Sequence, residues 1–203
     1  LVSSWLPEAL ASLPLRAGVL IGGSSTRMGR PKHLLARGGA TLLERTVETV
    51  AGRVAEVVLL GGGPLPDSCR ALPRLPDCRD AEGPLAGMLA AHRWAPGGAW
   101  LFCPCDLPDL SAEAIEWLSA QRAPGRWAVL PRTAGGLEPL LAVYELQAAP
   151  LLEALAARGE RAPRLIASHA KVVAAMVPAG LARAWQGVNT PTDLAGRELS
   201  GRS

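Results

Sequence analysis

One stretch decides the fold: Leu20-Ile21-Gly22-Gly23-Ser24-Ser25-Thr26-Arg27-Met28-Gly29-Arg30-Pro31-Lys32. It continues an apolar run over residues 17–21, which predicts a buried strand. The small residues that follow allow backbone N–H groups to approach phosphate oxygens, and Arg27 and Lys32 supply positive charge. A strand that ends in such a loop indicates nucleotide chemistry.

The two commonest phosphate-binding loops do not match this stretch. A P-loop needs G-x-x-x-x-G-K-[ST], whereas Gly29 is followed by Arg30 and Lys32 by no Ser or Thr. The dinucleotide fingerprint needs G-x-G-x-x-G, whereas Gly22 and Gly23 are adjacent. The Gly-Gly pair alone also fits an ordinary turn, but the whole pattern G-G-x-S-x-R-M-G-x-x-K is far more specific.

Composition limits the class of protein. The 203 residues are 49% apolar, which is enough for one substantial α/β domain with a folded core. The net charge of +3 gives no argument for a nucleic-acid or membrane partner. The chain has 19 Arg and only two Lys, Lys32 and Lys171, so a lysine in the glycine-rich loop stands out.

The N-terminal segment resembles neither a signal peptide nor a membrane span. No apolar run reaches the roughly 20 residues that cross a bilayer, and residues 1–15 have no basic start followed by a compact apolar core. We therefore predict an N-terminal extension over residues 1–15, a single domain over residues 16–203, and a cytoplasmic protein.

The cysteines and histidines show no spacing typical of a metal centre. We predict reduced, partly buried thiols, because a free cysteine behaves as a small apolar residue. The histidines are expected at the surface or packed on helices, which argues against Ser-His-Asp chemistry. These residues are Cys69, Cys78, Cys103, Cys105, His33, His92 and His169.

Strand and helix patterns alternate along the chain. Predicted strands cover residues 17–21, 56–60, 72–78, 99–103, 127–130, 137–144 and 172–177, and predicted helices cover 41–51, 84–94, 111–121, 148–158 and 192–198. This alternation predicts a three-layer α/β fold, a mostly parallel Rossmann-like sheet with helices on both faces. Ligands of such folds bind at the carboxyl ends of the strands, where the Gly22 loop and Asp106 both lie.

Asp106 ends the apolar strand that begins near Ala99. A carboxylate there is shielded from water, which is costly unless it is paired or binds a metal. Mg²⁺ held together with substrate phosphates is the natural ligand, whereas a turn aspartate is the simpler alternative. The presence of the Gly22 loop favours the metal.

Further candidates lie in other predicted loops. Asp77 can accept hydrogen bonds from ribose hydroxyls or base N–H groups, whereas Asp80 is better explained as a surface acid. Gly83 and Pro84 open a helix whose small residues permit close approach of a ligand or of another backbone. Asn189 can bind a substrate or metal-bound water, or form a turn before a proline.

Together these segments resemble the molybdenum cofactor guanylyltransferase family, whose members are MobA-like nucleotidyltransferases. Members transfer GMP from GTP to molybdopterin, giving the guanine dinucleotide cofactor and pyrophosphate. The resemblance covers residues 16 to 198. Besides the first loop, it rests on Gly83-Pro84-Leu85-Ala86-Gly87, Phe102-Cys103-Pro104-Cys105-Asp106-Leu107-Pro108, Glu138-Pro139-Leu140 and Val188-Asn189-Thr190-Pro191.

The resemblance implies a role for each matching position. Lys32 contacts phosphates, Asp77 lies near the nucleoside, and Asp106 binds GTP through Mg²⁺. Arg27 and Lys32 would stabilise the leaving pyrophosphate. Implied substrates are GTP and molybdopterin, and implied partners are molybdoenzymes or other cofactor-biosynthesis proteins, without nucleic acid or membrane. The other implied contacts are Leu20, Ile21, Gly22 and Gly23 with the nucleotide, and Gly83, Pro84, Glu138 and Asn189 on the acceptor side.

Some positions depart from the family pattern and keep alternatives open. Pro31 stands before Lys32 where the family often has an acid, and Leu60-Gly61 ends the second strand where it often has a polar residue. A cytidylyltransferase, a sugar-phosphate nucleotidyltransferase and a non-catalytic cofactor carrier therefore remain alternatives. An NAD-type dehydrogenase is disfavoured by the missing fingerprint.

Overall fold

A computed structural model describes residues 13–22, 31–188 and 193. Within these residues, eight strands form one sheet, two form a small hairpin, and four α-helices cover the sheet. The strands are β1 (Leu15–Leu20), β2 (Ala36–Arg37), β3 (Ala40–Thr41), β4 (Glu56–Leu60), β5 (Arg74–Leu75), β6 (Ala99–Pro104), β7 (Ala128–Thr133), β8 (Gly136–Leu137), β9 (Ala142–Tyr144) and β10 (Val172–Met176). The helices are α1 (Leu42–Ala51), α2 (Pro84–Trp94), α3 (Ala112–Ala120) and α4 (Ala149–Ala157).

The sheet is mostly parallel, as predicted. Its order is β10-β7-β9-β6-β1-β4-β5, with β8 paired to β7. β1 pairs in parallel with both β4 and β6, so the carboxyl ends of these three strands lie at one edge. β9 runs antiparallel between β6 and β7. The loops that follow β1, β4 and β6 are thereby brought together.

The helices form one layer on each face of the sheet. Val57 and Leu59 of β4 point to the cluster that contains residues of α1 and α3. Val58 and Leu60 of the same strand point to the cluster that contains residues of α2 and α4. Successive side chains of a strand alternate between faces, so a strand apolar throughout is covered on both sides. The predicted three-layer fold is confirmed.

The helix starts follow local capping rules. The Thr41 hydroxyl accepts a hydrogen bond from the Glu44 backbone N–H at 3.2 Å, and the Glu44 carboxylate accepts one from the Thr41 N–H at 2.8 Å. The Ser111 hydroxyl accepts one from the Ala114 N–H at 3.3 Å and begins α3. Pro84 stands in the first turn of α2. The predictions of these helices are confirmed.

Other boundaries differ from the prediction. The predicted strand 137–144 is wrong as a single element, because residues 138–141 separate β8 from β9. Pro139 has no N–H for a strand ladder, and its carbonyl accepts a hydrogen bond from the Tyr144 hydroxyl at 2.7 Å. The predicted strand 72–78 shortens to β5, and the β2–β3 hairpin was not predicted. The predicted helix 192–198 lies outside the described residues, except for Asp193.

All four cysteines carry free thiols; Cys78 is half-buried and the other three are buried, as predicted. In the described part of the chain, no helix is long and apolar enough to span a membrane.

Candidate functional site

A cavity of about 520 Å³ lies at the carboxyl ends of β1, β4 and β6. Its wall is formed by the segments that follow β1, β5 and β6, the start of α2, and Leu140 between β8 and β9. In an open α/β sheet, a crevice at this edge is the expected ligand site. It is lined by Leu20, Ile21, Gly22, Lys32, His33, Leu60, Asp77, Gly83, Pro84, Pro104, Cys105, Asp106 and Leu140.

One end of the cavity is charged. The Lys32 ammonium donates a hydrogen bond to Asp106 Oδ2 at 3.1 Å, although the two residues are 74 positions apart. Their side chains are 25% and 29% exposed, so both remain open to the cavity. The Asp106 backbone carbonyl accepts a hydrogen bond from the Val188 N–H at 3.0 Å. This end thus offers a cation and an anion to an incoming ligand.

The other end is built from glycines around Asp77. A Cβ on Gly22 would lie 3.5 Å from an Asp77 carboxylate oxygen, and a Cβ on Gly87 would lie 3.3 Å from one. Gly61 has a φ of +109°, and a Cβ there would lie 2.9 Å from the Gly22 nitrogen. Burial raises the pKa of Asp77 above its ordinary value. No described residue donates a hydrogen bond to this carboxylate.

Cys105 lies in the cavity wall, where burial disfavours the thiolate form of its side chain. Burial raises the pKa of its thiol to about 12, and burial raises the pKa of Cys103 as well. The reactive form of cysteine is the thiolate, which such a pKa suppresses at neutral pH. The Cys105 side chain therefore serves as a small neutral surface.

The cavity brings together most of the predicted site residues. Those that line it are Leu20, Ile21, Gly22, Lys32, Asp77, Gly83, Pro84 and Asp106. Gly23, Arg27 and Asn189 lie outside the described residues. The individual contacts and roles of these residues stay predictions.

Glu138 does not belong with the residues that line the cavity, although Leu140 two positions later does. Its carboxylate accepts a hydrogen bond from the Thr133 hydroxyl at 3.2 Å. Burial raises the pKa of Glu138, and the Thr133 hydrogen bond partly opposes that rise. Asp80 lies at the surface in a two-pronged ion pair with Arg93, which agrees with its interpretation as a surface acid.

Five lining residues were not among the predicted site residues: His33, Leu60, Pro104, Cys105 and Leu140. Pro104 and Cys105 belong to the segment that contains Asp106. Leu60 was noted in the sequence only as a departure from the family pattern, and the parallel pairing of β4 with β1 places it on this edge. Leu140 belongs to the Glu138-Pro139-Leu140 segment, which did carry a signal. His33 directly follows Lys32, but an isolated histidine without ligand spacing gave no reason to select it.

The metal expected at Asp106 fits the donor set. Among the described residues, no three or more His, Cys, Asp or Glu side chains form a metal-binding group. Mg²⁺ usually binds through one or two carboxylates and takes its other ligands from water and substrate phosphates. Asp106 can hold Mg²⁺ in that manner.

Known proteins resemble this chain over most of its length. The model of the MobA-like NTP transferase domain matches residues 17–172. A probable molybdenum cofactor guanylyltransferase of Deinococcus radiodurans is 36% identical over 94% of this chain and 96% of its own. The corresponding protein of Bacillus mycoides is 30% identical over 76% of this chain and 80% of its own.

Solved structures agree with this assignment. Molybdopterin-guanine dinucleotide biosynthesis protein A from Archaeoglobus fulgidus superimposes with a TM-score of 0.74 at 26% identity, covering 93% of this chain and all of that one (100%). A 2-C-methyl-D-erythritol 4-phosphate cytidylyltransferase from Thermus thermophilus has a TM-score of 0.65 at 19% identity, covers 92% of this chain and 98% of its own, and shows the fold alone. The glycine-rich loop, the sheet and these similarities agree, and the chain belongs to the MobA-like NTP transferase family.

Proposed function

We propose that this protein transfers GMP from GTP to molybdopterin, forming the molybdopterin guanine dinucleotide cofactor and pyrophosphate. The observation that carries the proposal is the meeting of Lys32 and Asp106, 3.1 Å apart, in a cavity that Asp77 also lines. The names of the relatives and of the Archaeoglobus fulgidus neighbour support the choice of substrates.

The reaction needs no covalent bond to the protein. An oxygen of the molybdopterin phosphate attacks the α-phosphorus of GTP and forms a new P–O bond. The bond from the α-phosphorus to the bridging oxygen breaks, and its electron pair leaves with pyrophosphate. The neutral thiol of Cys105 is consistent with this direct transfer.

Lys32 would neutralise charge on the leaving pyrophosphate, and Arg27 would do so beside it. The loop from Leu20 to Gly23 would hold the phosphates in line for attack. When bound at Asp106, Mg²⁺ supplies positive charge to the phosphate oxygens. Lys32 would therefore turn from Asp106 towards the phosphates when GTP enters.

Asp77 would select the nucleoside. Its carboxylate can only accept, so it suits ribose hydroxyls or the N–H groups of a base. Gly83 and Pro84, at the start of α2, would face molybdopterin. Glu138 and Asn189 would contribute to that acceptor side.

The proposal extends to the organisation and setting of the protein. One domain over residues 16–203 would hold both substrates. The reaction would take place in the cytoplasm, and molybdoenzymes or other cofactor-biosynthesis proteins would receive the product.

Pyrophosphate release by purified protein, with molybdopterin and Mg²⁺, tests the proposal. Release with GTP, but not with CTP or ATP, is expected. Release with CTP instead would make the protein a cytidylyltransferase. Binding of GTP without release would favour a carrier. Asp106→Ala and Lys32→Ala should each abolish most transfer and leave the fold intact, as judged by circular dichroism.

A further inference from the structure

We infer that His33 is a positioning residue, which holds Lys32 at the charged end of the cavity through a hydrogen bond to the Pro64 carbonyl. The inference rests on the proposed use of a nucleotide by this cavity. It concerns a contact between the turn that carries Lys32 and the loop that follows β4.

The geometry of the contact is specific. His33 Nε2 lies 2.9 Å from the Pro64 carbonyl oxygen, across 31 positions of the chain. The residue is 3% exposed and lines the cavity. Because a carbonyl oxygen only accepts, Nε2 must carry the proton in this contact. A buried donor with a partner at this distance is costly to remove.

The loop after β4 is shaped to the imidazole ring. Gly63 has a φ of +122°, in the left-handed region that favours glycine. A Cβ on Gly63 would lie 3.3 Å from His33 Cε1, so the bare backbone packs directly against the ring. The ring is therefore held both by packing and by a hydrogen bond.

Lys32 and His33 share one short turn. The 3₁₀ turn Lys32–Leu34 has no side-chain cap, and it is closed by the hydrogen bond from the Leu35 N–H to the Lys32 carbonyl at 3.0 Å. In so short an element, displacement of His33 moves Lys32 with it. When Lys32 turns from Asp106 to phosphates, the His33–Pro64 hydrogen bond still ties the turn to the loop after β4. A small displacement of the Lys32 ammonium is expected to weaken its contacts with phosphates considerably.

The test measures binding of a fluorescent GTP analogue, with Mg²⁺, to four variants. His33→Phe keeps a ring but loses the donor, and we expect roughly tenfold weaker binding. His33→Gln offers an N–H and should recover most of the affinity. If His33 acts through Lys32, His33→Phe should weaken binding little further in a Lys32→Ala protein.

Additive losses in the double variant would overturn the inference, as would wild-type affinity in His33→Phe. Lower thermal stability of His33→Phe with unchanged affinity would also overturn it, because that is the result of a structural role alone. A wild-type protein that binds no nucleotide would instead reject the proposed function, on which the inference depends.

A second measurement does not need nucleotide. Nitrogen-15 NMR of the histidine rings should show that His33 carries its proton on Nε2 and that Pro64 accepts from it. A neutral ring protonated on Nδ1 would overturn the inference, whatever the binding data show.

Discussion

The two ends of the cavity each contain an aspartate, but the two carboxylates differ in their partners within the protein. Asp106 has a protein cation, the Lys32 ammonium, at 3.1 Å. Asp77 has glycines around it and receives no hydrogen bond from a described residue. The first carboxylate has a partner within the protein, whereas the second keeps its capacity to accept hydrogen bonds from a ligand.

This difference separates two tasks. Paired opposite charges suit a reaction in which phosphate charge is redistributed, because either partner can be exchanged for part of the substrate. An unpaired acceptor in a tight glycine cradle suits selection, because a ligand that lacks the matching donors leaves the carboxylate unsatisfied. We therefore expect substitutions at the charged end to change the rate, and those at the glycine end to change affinity and choice of nucleotide.

The largest effect is expected from Asp106→Asn, which keeps the shape of the side chain and removes its charge. Pyrophosphate release at saturating GTP should fall by roughly 10²–10³-fold. Asp109→Asn is the control, because Asp109 is a nearby carboxylate that pairs with Arg37 at 2.8 Å. Equal rates in the two variants would contradict the assignment of the chemistry to the charged end.

Gly61→Ala should have the second-largest effect, because it adds a methyl group at the glycine end without changing any charge. The new Cβ would lie 2.9 Å from the Gly22 nitrogen at a φ of +109°. We expect a loss of about 1–3 kcal/mol in the free energy of unfolding, together with weaker GTP binding. Gly52→Ala is the matched control, because its Cβ would meet nothing within 4 Å and its φ is −78°. Urea unfolding and nucleotide titration measure both, and equal behaviour would refute the close approach.

Asp77→Asn should act more mildly and more selectively. Loss of the charged acceptor should weaken GTP binding by about tenfold, and reduce its advantage over ATP and CTP, with a smaller change in kcat. Because the pKa of Asp77 is raised by burial, its carboxylate is lost at a higher pH than that of an exposed aspartate as the solution is acidified. Wild-type affinity should therefore fall on acidification, whereas the Asn variant should lack this pH dependence. A larger effect on kcat than on affinity would contradict the separation of tasks.

The smallest effect on the two ends of the cavity is expected from His92→Leu. This substitution should change the pH dependence of the free energy of unfolding and leave the cavity unchanged. His92 is 2% exposed, and burial lowers its pKa from 6.5 to about 4. Between these values the unfolded chain binds more protons, so the free energy of unfolding falls as the pH drops. The total loss is about 3 kcal/mol and is complete below about pH 4.

Urea unfolding at pH 7.5 and pH 5 measures the slope of the free energy of unfolding against pH, that is, how steeply this free energy depends on pH. His92→Leu should remove it, while GTP binding at pH 7.5 stays unchanged. His169→Leu should keep this pH dependence, because the His169 ring is only half-buried and stacks on Trp127. A slope that survives in His92→Leu would assign the acid sensitivity to another group.

The elements that were predicted correctly are marked by signals within a short stretch of sequence. The Thr41–Glu44 capping box and Pro84 mark helix starts within a few residues of sequence. The proximity of the Gly22 loop to Asp106 was also predictable, because parallel strands present their carboxyl ends at one edge. Within the described residues, the structure bears out each of these expectations.

The features that were missed depend on contacts between distant residues. The hydrogen bond between His33 and the Pro64 carbonyl joins residues 31 positions apart, and no local sequence pattern predicts it. The reversed direction of β9 depends on pairing with both β6 and β7. The approach of Gly61 to Gly22 depends on the position of two strands in the sheet. Tertiary packing decides such features, and single-sequence patterns do not contain it.

The ion pair between Lys32 and Asp106 has a consequence for turnover. Since the two charges neutralise each other, entry of a triphosphate at the proposed site would exchange one ionic partner for another, and its affinity would reflect only the difference. On the proposed function, Asp106 would be in place to pair with the ammonium again when pyrophosphate departs. Such an arrangement would favour release of product over tight retention, and would let one protein molecule serve many substrates in succession.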